Sequence, residues 1–113
     1  MKTPRKGEVQ VNGIPAGVLD ETATGIRFQY YPEYVRRDDL PAVSLTLPRQ
    51  ADPFESSILF PFFAGLLAEG ATMQIQCRRL KLDEADLLGR LLKTATSDVV
   101  GNVTVHDIAE NVL

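Results

Sequence analysis

The sequence predicts one α+β domain in which a small antiparallel β-sheet, a meander, is packed by about three helices. Apolar and polar residues alternate through much of the first half of the chain, which is typical of half-buried strands. The dipeptide Asn12-Gly13 separates the first two such runs, and both residue types tolerate the positive φ of a two-residue hairpin. Leucines recur at helical spacing in residues 83–93, which predicts an amphipathic helix.

The first half of the chain supplies most of the predicted sheet. We expect residues 1–6 to be a flexible tail because this short basic run has no apolar pattern. The predicted strands are 8–11, 14–19, 26–30 and 43–47, and a turn at 20–25 separates the second from the third. Residues 31–40 contain Pro32 and several charges, so they form either a loop or a single helical turn.

The second half of the chain is expected to be mainly helical. After a connector at 50–57, residues 59–70 predict a helix that Ser56 or Ser57 caps and that Gly70 ends in the left-handed conformation. Residues 72–82 match both a strand and a helix, and their length favours a helix. Asp83 is the expected N-cap of the next helix, 83–93. A closing strand follows at 99–105, with Gly101-Asn102 as a bulge or turn inside it.

The apolar stretch 59–70 is the most informative part of the sequence. It is apolar on every face until Glu69, and three of the five Phe residues of the chain lie within it. A helix at the surface of a small domain normally shows a polar face to water. Most of these side chains are expected in the core. Because a helix that is apolar all round is difficult to bury completely in one small domain, we expect at least one edge to contribute to a partner surface.

Composition excludes several classes of function. The chain has 113 residues, of which 44% are apolar and 24% charged, so one domain spanning 1–113 can build a core without a disulfide or a metal. The net charge of −3, from 12 basic and 15 acidic residues, does not fit a protein whose main task is to neutralise phosphates. The single cysteine, Cys77, allows no internal disulfide and suits a reducing compartment. We see no secretory signal and no apolar run long enough to span a bilayer, and therefore expect a cytoplasmic protein.

No motif in the sequence predicts catalysis. His106-Asp107 is an isolated pair, for which a surface histidine is the usual explanation. Cys77 lies among apolar residues and is interpreted as a buried structural thiol rather than a nucleophile. The chain has no Gly-rich phosphate loop, no His-Glu-x-x-His motif and no kinase catalytic loop. We therefore expect no enzymatic activity, no cofactor and no metal.

Taken in order, these segments resemble the N-terminal subdomain of HipA-type protein kinases, the toxins of bacterial toxin–antitoxin systems. The resemblance covers roughly residues 7–105. It is carried by Gly17-Val18-Leu19, Gly25-Ile26-Arg27-Phe28-Gln29-Tyr30, Leu45-Thr46-Leu47-Pro48, Leu59-Phe60-Pro61-Phe62-Phe63, Leu66-Leu67-Ala68-Glu69-Gly70 and Asp98-Val99-Val100-Gly101-Asn102-Val103. The family often has Leu-Pro-Glu-Gly where this chain has Leu67-Ala68-Glu69-Gly70.

The resemblance implies a non-enzymatic inhibitor. A HipA-type kinase continues for hundreds of residues beyond this subdomain, whereas a free-standing copy resembles HipS of three-component HipBST systems. There the small protein acts as the antitoxin by binding the kinase toxin HipT. HipB supplies a DNA-binding domain, and the resemblance allows all three proteins to form one ternary complex. Direct contact with nucleic acid or membrane is not expected of this chain. The alternative is a non-inhibitory structural piece of a split kinase, which completes or stabilises the toxin. A small enzyme with an unrecognised site is the third hypothesis.

The exit of the apolar stretch is the expected contact surface for the kinase. Relatives commonly place Trp directly after the Glu-Gly pair, whereas this chain has Ala71 there and contains no Trp. Glu69 can pair with a basic residue of the kinase, and Gly70 allows a close approach of backbone. The predicted partner-binding residues are Phe63, Leu67, Glu69, Gly70, Ala71 and Thr72.

Overall fold

An antiparallel sheet of five strands organises residues 5–95 and 102–108, which are the residues that the computed structural model describes. The strands are β1 (Lys6–Val11), β2 (Ile14–Glu21), β3 (Ile26–Tyr30), β4 (Phe54–Ser56) and β5 (Val103–Asp107), in the spatial order β4-β3-β2-β1-β5. The helices are α1 (Pro32–Val35), α2 (Pro61–Ala64), α3 (Gly70–Leu80) and α4 (Leu87–Thr94). The predicted α+β fold class is confirmed.

The meander β1–β2–β3 forms as the alternation predicted. Asn12 and Gly13 have φ angles of 53° and 82°, the two positive values that the tight hairpin requires. β5 closes the sheet by pairing antiparallel with β1, and Asn102, directly before this strand, has a φ of 63°. The rest of the predicted 99–105 strand, including Gly101, lies outside the described residues.

The start of the described chain is held by ion pairs. Lys6, expected in the tail, begins β1, and the Arg5 guanidinium lies 2.8 Å from a Glu21 oxygen and 2.7 Å from an Asp86 oxygen. The hydrogen-bonded Arg5 lowers the pKa of the Glu21 carboxyl. Residues 1–4 lie outside the described part. Asp86, rather than the predicted Asp83, is the N-cap of α4, because its side chain accepts the Gly89 N–H at 3.1 Å.

The predicted fourth strand, 43–47, is wrong. The segment is a tight turn in which the Leu47 N–H donates to the Ser44 carbonyl at 3.0 Å. The buried Tyr30 hydroxyl accepts the Val43 N–H at 2.9 Å and donates to the Leu47 carbonyl. Alternation in this segment therefore reflects Val43 and Leu47 pointing inward around a fully exposed Leu45. The fourth strand is β4 instead, in the expected connector, where it pairs with β3.

The predicted helix over 59–70 is also wrong, because only Pro61–Ala64 is helical. Phe60, not Ser56 or Ser57, occupies the N-cap position, and Pro61 begins the turn as expected. Leu66 and Leu67 continue with tighter i to i+3 hydrogen bonds, 3.1 Å each, before the chain becomes extended. The stretch is therefore not one helix with an uncovered face. Most of it lies in the core, where the Phe63 ring contacts three other rings, those of Phe28, Phe60 and Phe62.

The two longer helices differ in how deeply they are buried. α4 buries Leu88, Leu91 and Leu92 as its leucine stripe predicted, and it packs against β5 and α2. α3 confirms the predicted helix, and its one fully buried residue is Cys77, the expected structural thiol. No helix within residues 5–95 and 102–108 has the length and apolar character needed to cross a membrane.

The hydroxyl of Tyr30 is expected to hold the 43–47 turn in place. Tyr30→Phe leaves the buried Val43 N–H and Leu47 carbonyl without this partner, so the free energy of unfolding should fall by about 1–3 kcal/mol in urea denaturation. Tyr34→Phe is the matched control, since its hydroxyl bonds the carbonyl of the exposed Pro41, which water can replace. Equal effects of the two substitutions would contradict this assignment.

Candidate partner-binding surface

The predicted partner-binding residues fall into two groups in the structure. Phe63 is fully buried and Leu67 is 9% exposed, so both side chains belong to the core of the domain. The other four are exposed and consecutive at the start of α3, and we call them the 69–72 segment: Glu69, Gly70, Ala71 and Thr72. The structure therefore leaves this segment, rather than the aromatic stretch before it, available to a partner.

The backbone of the 69–72 segment makes an abrupt change of direction. Glu69 is extended, with φ −127° and ψ 165°, and its side chain makes no capping hydrogen bond to α3. Gly70 has a φ of +61°, as predicted for a left-handed residue, but it begins α3 instead of ending a preceding helix. A Cβ on Gly70 would meet nothing within 4 Å. The backbone angle therefore requires glycine there, and the space around Gly70 is open.

A buried arginine holds both ends of α3. Arg90 of α4 is 8% exposed, and its guanidinium donates to the Ala68 carbonyl at 2.8 Å and to the Glu84 carbonyl at 3.1 Å. Ala68 directly precedes the 69–72 segment, and Glu84 lies in the connector that follows α3. Nothing in the sequence local to α4 shows which carbonyls Arg90 reaches.

Exposed apolar side chains on α3 were missed by the sequence analysis. Ile75 and Leu80 are 57% and 46% exposed, respectively. Ile75 is four residues after Ala71 and two before Cys77, so it shares a helix face with Ala71 and points away from the buried side. The four-residue spacing of Ala71 and Ile75 indicates a shared face only if the segment is a helix. The pattern over 72–82 matched a strand as well, so this exposed face was not predicted.

The two residues that the sequence offered for chemistry, Cys77 and His106, lie on separate elements, α3 and β5. Cys77 is buried, and His106 on β5 has its Nε2 2.9 Å from the Thr104 hydroxyl. Within residues 5–95 and 102–108 no three His, Cys, Asp or Glu side chains are grouped so that they could hold a metal ion.

Comparisons with known proteins agree with this description. The model of the HipA N-terminal domain family matches residues 7–106. An uncharacterized protein of Haemophilus influenzae is 33% identical over 103 residues, which is 91% of this chain and 92% of the relative. A solved structure described as the N-terminal domain of HipA toxin superposes with a TM-score of 0.70 at 29% identity and covers 96% of each chain.

These matches extend over nearly the whole chain and include every described strand and helix up to β5. The HipA N-terminal domain is a non-catalytic domain, and the relationship suggests a protein associated with a toxin–antitoxin system. On the family match and on the superposition of the fold, this chain belongs to the HipA N-terminal domain family.

Proposed function

We propose that this protein is a cytoplasmic, non-enzymatic antitoxin that binds and inhibits a HipT-type Ser/Thr kinase toxin. The observation that supports the proposal most directly is the exposed 69–72 segment, which a buried arginine holds at the surface of a HipA N-terminal domain. A protein that blocks an enzyme needs an exposed surface feature, and this segment is exposed.

The chemistry of the segment suits contact through backbone and charge. Gly70 and Ala71 carry little side chain, so a partner can approach the main chain closely. The first N–H groups of a helix have no partner inside the helix, and Glu69 supplies no side-chain cap for those of α3. The kinase can donate to the Glu69 carboxylate and accept from these N–H groups. Because Arg90 already orders the segment, binding costs little further conformational entropy.

A DNA-binding HipB-like protein completes the proposed system. With a net charge of −3, this chain offers little to neutralise phosphates itself. Contact with DNA is therefore assigned to the partner, in a ternary complex with the kinase.

The second candidate function is a non-inhibitory piece that completes or stabilises a split kinase. It is favoured by the match to a domain described as part of the HipA toxin. Co-expression with a HipA-family kinase encoded by a neighbouring gene separates the two functions. An inhibitor restores the growth of cells that make the kinase, whereas a completing piece increases toxicity.

A bulky charge in the 69–72 segment should damage binding rather than folding. Ala71→Asp places a carboxylate on the exposed start of α3, and the loss of one well-placed contact typically costs about 2 kcal/mol, a factor of roughly 30 in affinity. Kinase binding and rescue of growth should both fail while the melting curve stays native. The same substitution at Ala23, which is exposed in the turn between β2 and β3, is the control and should change neither.

Two further outcomes define the limits of this prediction. Phe60→Ala should instead reduce stability, by about 3–5 kcal/mol, because Phe60 is a core aromatic. If Ala71→Asp binds and rescues like the parent protein, the 69–72 segment is not the docking site. The 31–40 segment, which includes α1, is then the next candidate.

Removal of the Arg90 guanidinium should loosen α3 more than the sheet. Arg90→Met keeps an unbranched side chain but deletes the hydrogen bonds to Ala68 and Glu84. Hydrogen bonds from a charged group contribute about 1.5–3 kcal/mol each, so amide exchange in α3 should accelerate at least about tenfold relative to β2. Arg36→Met, at an exposed arginine after α1, is the control. Equal acceleration of α3 and β2, or none, would show that Arg90 has no special role in placing the segment.

A further inference from the structure

Helix α3 is buried much less than helix α4. One of its eleven residues, Cys77, is buried, whereas five of the eight residues of α4 are buried. In proteins most helical stability comes from packing rather than from intrinsic propensity. The exposure of Ile75 and Leu80 adds to this contrast. α3 therefore presents more surface than the fold itself requires.

The charge of α3 is opposite in sign to that of the chain. α3 contains Arg78 and Arg79 but no acidic residue, and Lys81 follows it directly. The chain as a whole has a net charge of −3. Within the described residues, no salt bridge involves any of these three cations. The helix dipole accounts for cations near the C-terminus of α3. A further cation, Lys93, lies in the last turn of the neighbouring helix α4, where the dipole of that helix also favours a positive charge.

That further cation lies across a shallow groove between α3 and α4. The groove has a volume of about 260 Å³ and is lined by Gln76, Arg79, Leu80, Lys93 and Thr94. The described lining thus contains two cations, two neutral polar side chains and one leucine, with no carboxylate. Two like charges on one groove repel each other, and an anion placed between them removes that repulsion. We call this feature the α3–α4 groove.

We propose that the α3–α4 groove binds an acidic segment of the partner kinase, with a carboxylate between Arg79 and Lys93 and an apolar side chain against Leu80. The identity of the partner rests on the proposed function. The groove is smaller than the roughly 300 Å³ at which sites for small molecules begin, so it fits one or two side chains of a protein. A single leucine-containing groove on an acidic chain is not the extended basic surface that nucleic acid requires.

The groove lies on the C-terminal half of α3, whereas the 69–72 segment forms its N-terminal end. The two sites together make α3 the principal contact element, with small residues at one end and cations at the other. Complementary charge at such a rim acts mainly on the association rate and on partner choice. The α3–α4 groove therefore selects an acidic partner, while the 69–72 segment makes the close contact.

Charge reversal in the groove tests the proposal. Arg79→Glu and Lys93→Glu should each weaken binding of the purified full-length chain to the kinase about tenfold, and the double variant more. The affinity of the parent should fall as salt is raised, and that of the double variant should change less. Both side chains are exposed, so thermal unfolding should remain native. Lys6→Glu, the same reversal at an exposed lysine of β1, should bind like the parent.

The outcomes separate this inference from the proposed function. If Ala71→Asp abolishes binding but the double charge reversal binds like the parent, the groove inference is overturned and the proposed function stands. If the reversals change binding of duplex DNA alone, or if Lys6→Glu weakens kinase binding as much, the inference is likewise overturned. A parent protein that does not bind the kinase overturns both.

Discussion

The placement of the candidate surface depends on one buried guanidinium. Burying a charge is costly unless the group is hydrogen-bonded, so Arg90 requires nearby acceptors. It finds them at Ala68 and Glu84, one on each side of α3. This interaction joins a weakly packed helix to α4, the helix with the best-formed apolar face. The hydrogen bond from Arg90 to the Ala68 carbonyl lies between the buried Leu67 and the exposed Glu69, where the chain leaves the core and enters α3.

Most of the apolar stretch 59–70, which predicted a partner surface, is buried in the core of the domain. Phe63 is enclosed by other rings, and Leu59 and Leu67 are also buried, so little of this stretch remains for an interface. The exposed residues of the stretch are small or charged, namely Pro61, Gly65, Glu69 and Gly70. Inhibition of a kinase by this protein would therefore depend on the fixed shape of the 69–72 segment and on charges along α3. With Ala71 where relatives of the resembled family commonly have Trp, no large aromatic anchor is available there.

Local patterns predicted the elements whose formation is local. The Asn12-Gly13 hairpin and the leucine stripe of α4 required only near neighbours, and both form. The errors arise where a distant side chain decides the structure. Tyr30, which is distant in the sequence, holds the alternating 43–47 segment in a turn through its hydroxyl. The exposed part of the candidate surface was predicted, whereas its support by Arg90 and the cations of the α3–α4 groove were not.

Amide hydrogen exchange of the protein bound to the kinase tests the central claim most directly. The N–H groups of Gly70, Ala71 and Thr72 begin a helix and have no partner within it, so they should exchange rapidly in the free protein. If α3 is the contact element, binding should protect these amides strongly and leave the exposed turn at Leu45 unchanged. Protection at Leu45 or in the 31–40 segment, with residues 70–72 exchanging as in the free protein, would contradict the account.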